Sequence, residues 1–158
     1  MILIDHQVGT NTWAASTPLA LLHRNVVILA KFAQGTGMPL VLTSSQETST
    51  HVQGPLMPKL EAIAPEAFAA RIKRIGVVNA WEDEAFANAC RATGKRNFVM
   101  AGVTTDVCMV APAISAVEEG FNVQVVCDAC GSGSGNQIAE LVRNWASPVG
   151  AVAFPLLT

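Results

Sequence analysis

A thiol, a carboxylate and a guanidinium placed at the ends of apolar runs are the groups in this chain that could do covalent chemistry together: Cys108, Asp5 and Arg74. A thiol at the start of a helix sits beside unpaired backbone N–H groups and the positive end of the helix dipole, and both favour thiolate. A carboxylate on the end of a buried strand is partly desolvated, which raises its pKa and makes it a better acceptor for a neighbouring thiol proton. A cation beside the two would stabilise both anions. Each residue also has a plainer use: an unpaired cysteine often serves as a small core hydrophobe, a strand-end aspartate as a cap, and an arginine as a surface ion-pair partner.

The elements around these residues give the placement some force. In residues 97–116, NFVMAGVTTDVCMVAPAISA, the segment Phe98, Val99 and Met100 reads as a buried strand, and the Val, Ala and Ile residues after Cys108 recur at helical spacing. Gly102 to Asp106 is then a strand-to-helix turn, and in open α/β sheets ligands bind outside the carboxyl ends of the strands. Ile2 to Ile4 is a short strand that delivers Asp5. Residues 18–34 form a helix with a wide apolar face, ended by Gly35 and Gly37, and residues 39–43 form a second buried strand. A polar loop follows at 44–53, then a short helix at 55–63, a third strand at 71–74 carrying Arg74, and a helix at 82–93 closed by Gly94.

After the Cys108 helix, residues 122–127 give a fifth strand leading into Asp128, 132–136 a loop, 137–145 a helix, and 150–157 a last strand. Six strands alternating with helices imply a three-layer α/β/α sandwich around a mainly parallel six-stranded sheet, because parallel neighbours need right-handed crossovers. The 158 residues are enough for one full core, with no linker that would divide them, so a single domain over 1–158 is expected. The loop over residues 9–16, GTNTWAAS, could act as a lid near the end of the first strand.

Composition narrows the function classes. A net charge of −2 with scattered basic residues argues against a nucleic-acid surface. The apolar runs fall well short of the twenty or so residues that span a bilayer, so no membrane segment is expected. Met1 leads directly into Ile2-Leu3-Ile4 with no basic n-region, long apolar run or cleavage-like site, which points to a cytoplasmic protein. Four cysteines are too few and too irregularly placed for a secreted disulfide framework. Cys127 and Cys130 have C-x-x-C spacing, but no second pair or histidine partner lies at metal-site spacing, and core packing is the competing role. Asn79 and Trp81, between the third strand and its helix, and Glu47, after the second strand, are candidate substrate-pocket residues. His6 and His23 are read as structural.

Five blocks, LIDHQ (3–7), PLVLTSSQET (39–48), NAWEDEAF (79–86), AGVTTDVC (101–108) and SAVEEGF with VVCDACG downstream, together resemble the isochorismatase-like cysteine hydrolases, and within them the YcaC-type branch. The resemblance implies the isochorismatase-like hydrolase fold and a catalytic triad of Cys108, Asp5 and Arg74, with arginine where the superfamily usually has lysine. Lys73 is adjacent, and the spacing back from Asn79-Ala80-Trp81 favours Arg74. It also implies a cis peptide between Val103 and Thr104, and an oxyanion hole made by the backbone N–H groups of Thr104 and Cys108. The implied reaction is attack by Cys108 on a small amide or related C–N substrate, with Asp5 accepting the thiol proton and water releasing the acyl group from a thioester.

No metal or cofactor is implied, since the loop at 44–53 offers only Glu47 and a lone His51 where nicotinamidases carry an aspartate and two histidines. Isochorismatases proper lack the nucleophilic cysteine, so isochorismate is not the expected substrate. A homo-oligomer is implied, octameric in YcaC-type proteins, with a chain short at both ends compared with its kin. Two other readings remain: a thiol-based redox-sensing or binding scaffold in which Cys108 reacts without useful turnover, and a purely structural assembly protein.

Overall fold

The computed structural model describes residues 1–48, 52–133 and 152–155. Strands β1 (Ile2–Ile4), β2 (Val41–Ser45), β3 (Ile72–Arg74), β4 (Asn97–Gly102), β5 (Asn122–Val126) and β6 (Val152–Phe154) form one parallel sheet in the order β3-β2-β1-β4-β5-β6. Helices α1 (Leu19–Thr36), α2 (Pro58–Ile63), α3 (Pro65–Ala69), α4 (Glu84–Ala92) and α5 (Val110–Glu118) flank it. All three residues of β1 and all five of β2 are buried, as unbroken apolar or small-residue runs must be in a sheet covered on both faces.

Strand order grows from β1 to β3 on one side and from β4 to β6 on the other, so the direction of winding reverses between β1 and β4. The crevice outside the carboxyl ends of those two strands is the ligand position of a doubly wound sheet. Ile4 is in register with Thr43 of β2 and Gly102 of β4, and Ser45 with Arg74 of β3. The residues that follow β1 and β4 are thereby brought to one edge.

Helix α1 lies on the sheet through Leu22, Val26, Leu29, Ala30 and Ala33, all buried and spaced at helical intervals. It ends at Gly37, whose φ of 66° is the left-handed conformation that glycine adopts freely. Gly35, expected to help end this helix, continues it. Three other boundaries differ from the sequence reading. The second strand runs on through Ser44 and Ser45, since both side chains are buried beside β1 and β3. The short helix expected at 55–63 begins at Pro58, as α2, and an unexpected short helix, α3, follows it after a break at Ala64, which, held at φ −135° ahead of Pro65, cannot stay helical. A 3-10 turn over Ala80–Glu82 precedes α4. The helix expected at 137–145 lies outside the described residues, as does most of the loop at 132–136; of the strand expected at 150–157, the described part is β6.

Candidate active site

β1 ends at Ile4, and Asp5 takes a left-handed backbone conformation, φ 55°, that an aspartate tolerates better than most residues. Its N–H donates to the Thr43 carbonyl at 3.0 Å, which fixes the strand end against β2. The Asp5 carboxylate is 1% exposed and accepts from Arg74 Nη2. Arg74 sits two strands away on β3, roughly 10 Å across the sheet, so its side chain must cross β2 to arrive. Thr43 makes that crossing possible. Its Oγ1 accepts from Arg74 Nε at 3.0 Å and donates to the Ile72 carbonyl at 2.9 Å. Arg74 Nη1 donates to the Val77 carbonyl at 2.6 Å, and the whole side chain is 0% exposed. Lys73, one residue earlier, falls on the opposite strand face and is exposed.

Cys108 reaches the same place from β4. The Val103–Thr104 peptide is cis, and a π-helical turn over Thr105–Met109 leads into α5. The turn is anchored by Thr105 N–H, which donates to the Gly131 carbonyl at 2.8 Å. Gly102 lets it come close: a Cβ there would meet Ile4 Cβ and Met109 Cβ at 3.1 Å and the Ile4 carbonyl oxygen at 3.2 Å. The half-buried Cys108 thiol consequently interacts with the Asp5 carboxylate, whose Oδ1 has no fully formed hydrogen bond among the described residues.

The electrostatics differ from those of a simple helix-start thiol. The N–H groups of Val107, Cys108 and Met109 all converge on the Thr104 carbonyl, at 3.3, 2.8 and 3.3 Å, instead of facing the sulfur. Only the Thr104 N–H favours thiolate from the backbone. Burial, reinforced by the Asp5 charge, pushes the Cys108 thiol up to about 12. Burial also raises the Asp5 carboxyl above its ordinary value, against the pull of Arg74 and of the thiol. The resting thiol therefore keeps its proton, because desolvation outweighs a helix start whose donors are already used.

Of the expected oxyanion donors, Thr104 N–H makes no backbone–backbone hydrogen bond among the described residues and faces the Cys108 sulfur, while Cys108 N–H is bonded to the Thr104 carbonyl and can serve only as a shared donor. The three pocket candidates each have partners within the fold. Trp81 is 8% exposed in an aromatic cluster with Phe86, Phe98 and Phe121, and its Nε1 donates to Glu119 at 2.8 Å. It is a packing residue. Asn79 caps the 3-10 turn by accepting from Trp81 N–H at 3.1 Å and donates to Ser115 Oγ on α5 at 3.1 Å. The Glu47 carboxylate is taken by Arg71 through both oxygens, at 2.6 and 2.9 Å, and by Ser44 Oγ at 2.6 Å. In each case a neighbour distant in sequence has claimed the polar group. His51 is outside the described residues.

His6 is fully buried, and neither ring nitrogen has a fully formed hydrogen bond; His23 pairs with Asn11 at 3.1 Å. The loop over residues 9–16 is tied down rather than free to lift, with Gly9 N–H on Gln53 O at 2.8 Å and Ala15 N–H on Ser132 O at 2.8 Å. Cys127 and Cys130 are both free thiols, and Cys130 Sγ accepts from Gly102 N–H at 3.4 Å. Sequence reasoning missed Thr43 and the Val77 carbonyl; a threonine closing the apolar run PLVLT was the available signal for the former. A cavity of about 380 Å³ opens at the other end of the sheet, lined by Met1, Phe32, Met38, Lys95, Arg96 and Phe98 among others, and none of Asp5, Arg74 or Cys108 borders it.

The family model described as the isochorismatase domain matches residues 1–153. The probable hydrolase YcaC of Escherichia coli (strain K12) is 42% identical over 140 residues, a match covering 89% of this chain and 64% of the relative, so the chain spans just under two thirds of that protein's length. YcaC from Pseudomonas aeruginosa, solved with hexane-2,5-diol and covalent acrylamide, superposes with a TM-score of 0.89 at 36% identity, covering 98% of this chain and 74% of that one. The YcaC gene product of Escherichia coli, an octameric hydrolase of unknown specificity, gives a TM-score of 0.89 at 38% identity, with 98% and 73% covered.

Proposed function

The chain belongs to the isochorismatase family, and we propose that it is a metal-independent cysteine hydrolase acting on a small amide or related C–N substrate through Cys108, Asp5 and Arg74. The observation that carries this reading is the buried Asp5–Arg74 pair with the Cys108 thiol against the Asp5 carboxylate. A carboxylate held by a guanidinium on one oxygen keeps the other oriented toward the thiol, and burial makes it basic enough to take a proton.

In the first half-reaction Cys108 Sγ attacks the substrate carbonyl carbon as its proton passes to Asp5. The S–C bond forms, and the oxyanion is held by Thr104 N–H, with Cys108 N–H as a shared donor. The proton then moves from Asp5 to the leaving nitrogen as the C–N bond breaks, leaving a thioester. Water attacks the thioester with Asp5 as base, and the acid departs with the thiol restored. Every role is filled by this chain's own residues. Glu47, the residue nearest in type to a metal ligand on the loop after β2, is engaged by Arg71 and Ser44. The octameric state of the Escherichia coli relative supports a homo-oligomer here as well.

The redox-sensor reading gains nothing from Cys127 and Cys130: burial raises both thiols, Cys130 to about 12. Ammonia release from a panel of small primary amides tests the hydrolase reading. It is expected from the parent and lost in Cys108→Ala. Release that persists in Cys108→Ala would remove Cys108 from the chemistry.

A further inference from the structure

The regular pairing of β5 with β4 ends at Val125 opposite Met100, and a 3-10 turn over Cys127–Ala129 follows. Beyond that turn the chain meets the end of β4 again, in a different way. The Gly102 N–H donates to Cys130 Sγ at 3.4 Å, Val103 bridges to Gly131, and the Thr105 N–H donates to the Gly131 carbonyl at 2.8 Å. On the β1 side the Val103 N–H donates to the Ile4 carbonyl at 3.1 Å. The amides before and after Thr104 are therefore both fixed, and the Thr104 N–H between them faces the Cys108 sulfur.

Residues 130–132 are seated in turn on residues 14–17, the end of the loop whose sequence suggested a lid. Thr17 Oγ1 donates to the Cys130 carbonyl at 2.9 Å, the Ala15 and Ser16 N–H groups donate to the Ser132 carbonyl at 2.8 and 3.1 Å, and the Ser132 N–H donates to Ser16 Oγ at 3.0 Å. Gly131 lies where the two segments come closest. A Cβ there would stand 2.4 Å from Ala14 Cβ, far inside contact distance, whereas Ala14 Cα at 3.5 Å and Leu22 Cδ2 at 3.7 Å would be ordinary neighbours. Gly131 does not have a positive φ, so it is space and not backbone conformation that excludes a side chain.

Resting on the reading of Cys108 as nucleophile with the Thr104 N–H as oxyanion donor, we propose that Gly131 is a positioning residue: its carbonyl holds the Thr105 N–H, and its bare Cα against Ala14 sets where the nucleophile turn stands. A donor stabilises a developing oxyanion best when it is aimed beforehand and needs no rearrangement during the reaction. The aim of the Thr104 N–H is fixed by its neighbours: Val103 is held by Ile4, Thr105 by Gly131, and Gly131 by the 14–17 segment. A shift of the 130–132 segment is passed to the Thr105 amide and so to the adjoining Thr104 amide. The loop at 9–16 thus supports the site from behind.

The parent, Gly131→Ala and the double variant Gly131→Ala/Ala14→Gly make the test, because removing the Ala14 methyl takes away the 2.4 Å clash and leaves only ordinary contacts. Iodoacetamide labelling of Cys108, followed by peptide mapping at one pH, reports on the thiol and its N–H partner; urea midpoints report on stability; amide turnover gives kcat and KM. Gly131→Ala is expected to lower both the labelling rate and kcat by about tenfold or more with KM changed less, and the double variant to recover most of the loss. A Gly131→Ala protein that is less stable yet labels and turns over like the parent would show that Gly131 only packs, and a loss that Ala14→Gly fails to recover would show that the contact with Ala14 does not set the turn. If Gly131→Ala does not fold, Thr17→Val decides: it removes the hydrogen bond to the Cys130 carbonyl and is expected to slow labelling about threefold, with Thr17→Ser restoring it. Equal rates in all three Thr17 proteins would then overturn the proposal. A parent that releases ammonia from no amide removes the hydrolase reading alone, since the labelling rates still decide whether Gly131 positions the turn.

Discussion

Asp5 and Arg74 stand 69 residues apart and form an ion pair with side chains 1% and 0% exposed, made across an intervening strand whose Thr43 braces the guanidinium. Removing one partner of such a pair strands the other charge in the interior, which costs about 3–5 kcal/mol. Arg74→Met is expected to lower stability by that order in urea denaturation and to abolish turnover. Thr43→Val leaves the ion pair but removes the brace, so it should lower kcat more than it changes KM, with Thr43→Ser restoring most of the loss. Equal effects of valine and serine would show that Thr43 only fills space.

The Cys108 thiol is raised by burial first and by the Asp5 charge second, to about 12. Its alkylation rate should therefore keep climbing past pH 9 instead of levelling near the ordinary thiol range. Asp5→Asn removes the opposing charge and leaves Arg74 in place, so the thiolate should form at lower pH than in the parent while amide turnover is lost. A pH profile of iodoacetamide labelling, read at Cys108 in both proteins, checks the direction; an upward shift in Asp5→Asn would contradict the assignment of charges.

His6 is pulled down from 6.5 to about 3 by burial, so the folded chain prefers the neutral ring. The stability this contributes is complete above pH 6.5 and drains away as pH falls toward 3, approaching about 1.4 kcal/mol for each pH unit in between. Urea midpoints measured from pH 7 to pH 4 should fall more steeply in the parent than in His6→Leu. Parallel curves would mean that His6 titrates in the folded state as it does in water.

Trp81 packs against Phe86, Phe98 and Phe121, and its indole N–H donates to Glu119. Trp81→Ala should cost about 3–5 kcal/mol as a cavity substitution. The rate of Cys108 alkylation in the protein that remains folded should stay within about twofold of the parent. A large loss of Cys108 reactivity at unchanged stability would return Trp81 to the pocket.

The alternation of strands and helices was legible because it is written locally: unbroken apolar runs for buried strands, helical spacing of apolar residues in α1, and glycine or proline at the ends. The same local signals put Asp5 at a strand terminus and Cys108 in the turn before a helix, and a parallel sheet can gather such residues only at one edge. Even the break at Ala64-Pro65, between α2 and the unexpected α3, was carried by the proline in the sequence.

What required the tertiary structure was partnership and solvent. Nothing near Arg74 in the chain says that Thr43 will carry its side chain across β2, that Arg71 will take Glu47, or that Glu119 and Ser115 will bond Trp81 and Asn79. Hydrogen-bond partners 24 to 69 residues apart are chosen by the assembled sheet. The helix start suggested a thiolate at Cys108; burial and the Asp5 charge decide for the thiol, because desolvation depends on everything packed around a group and not on its neighbours in sequence.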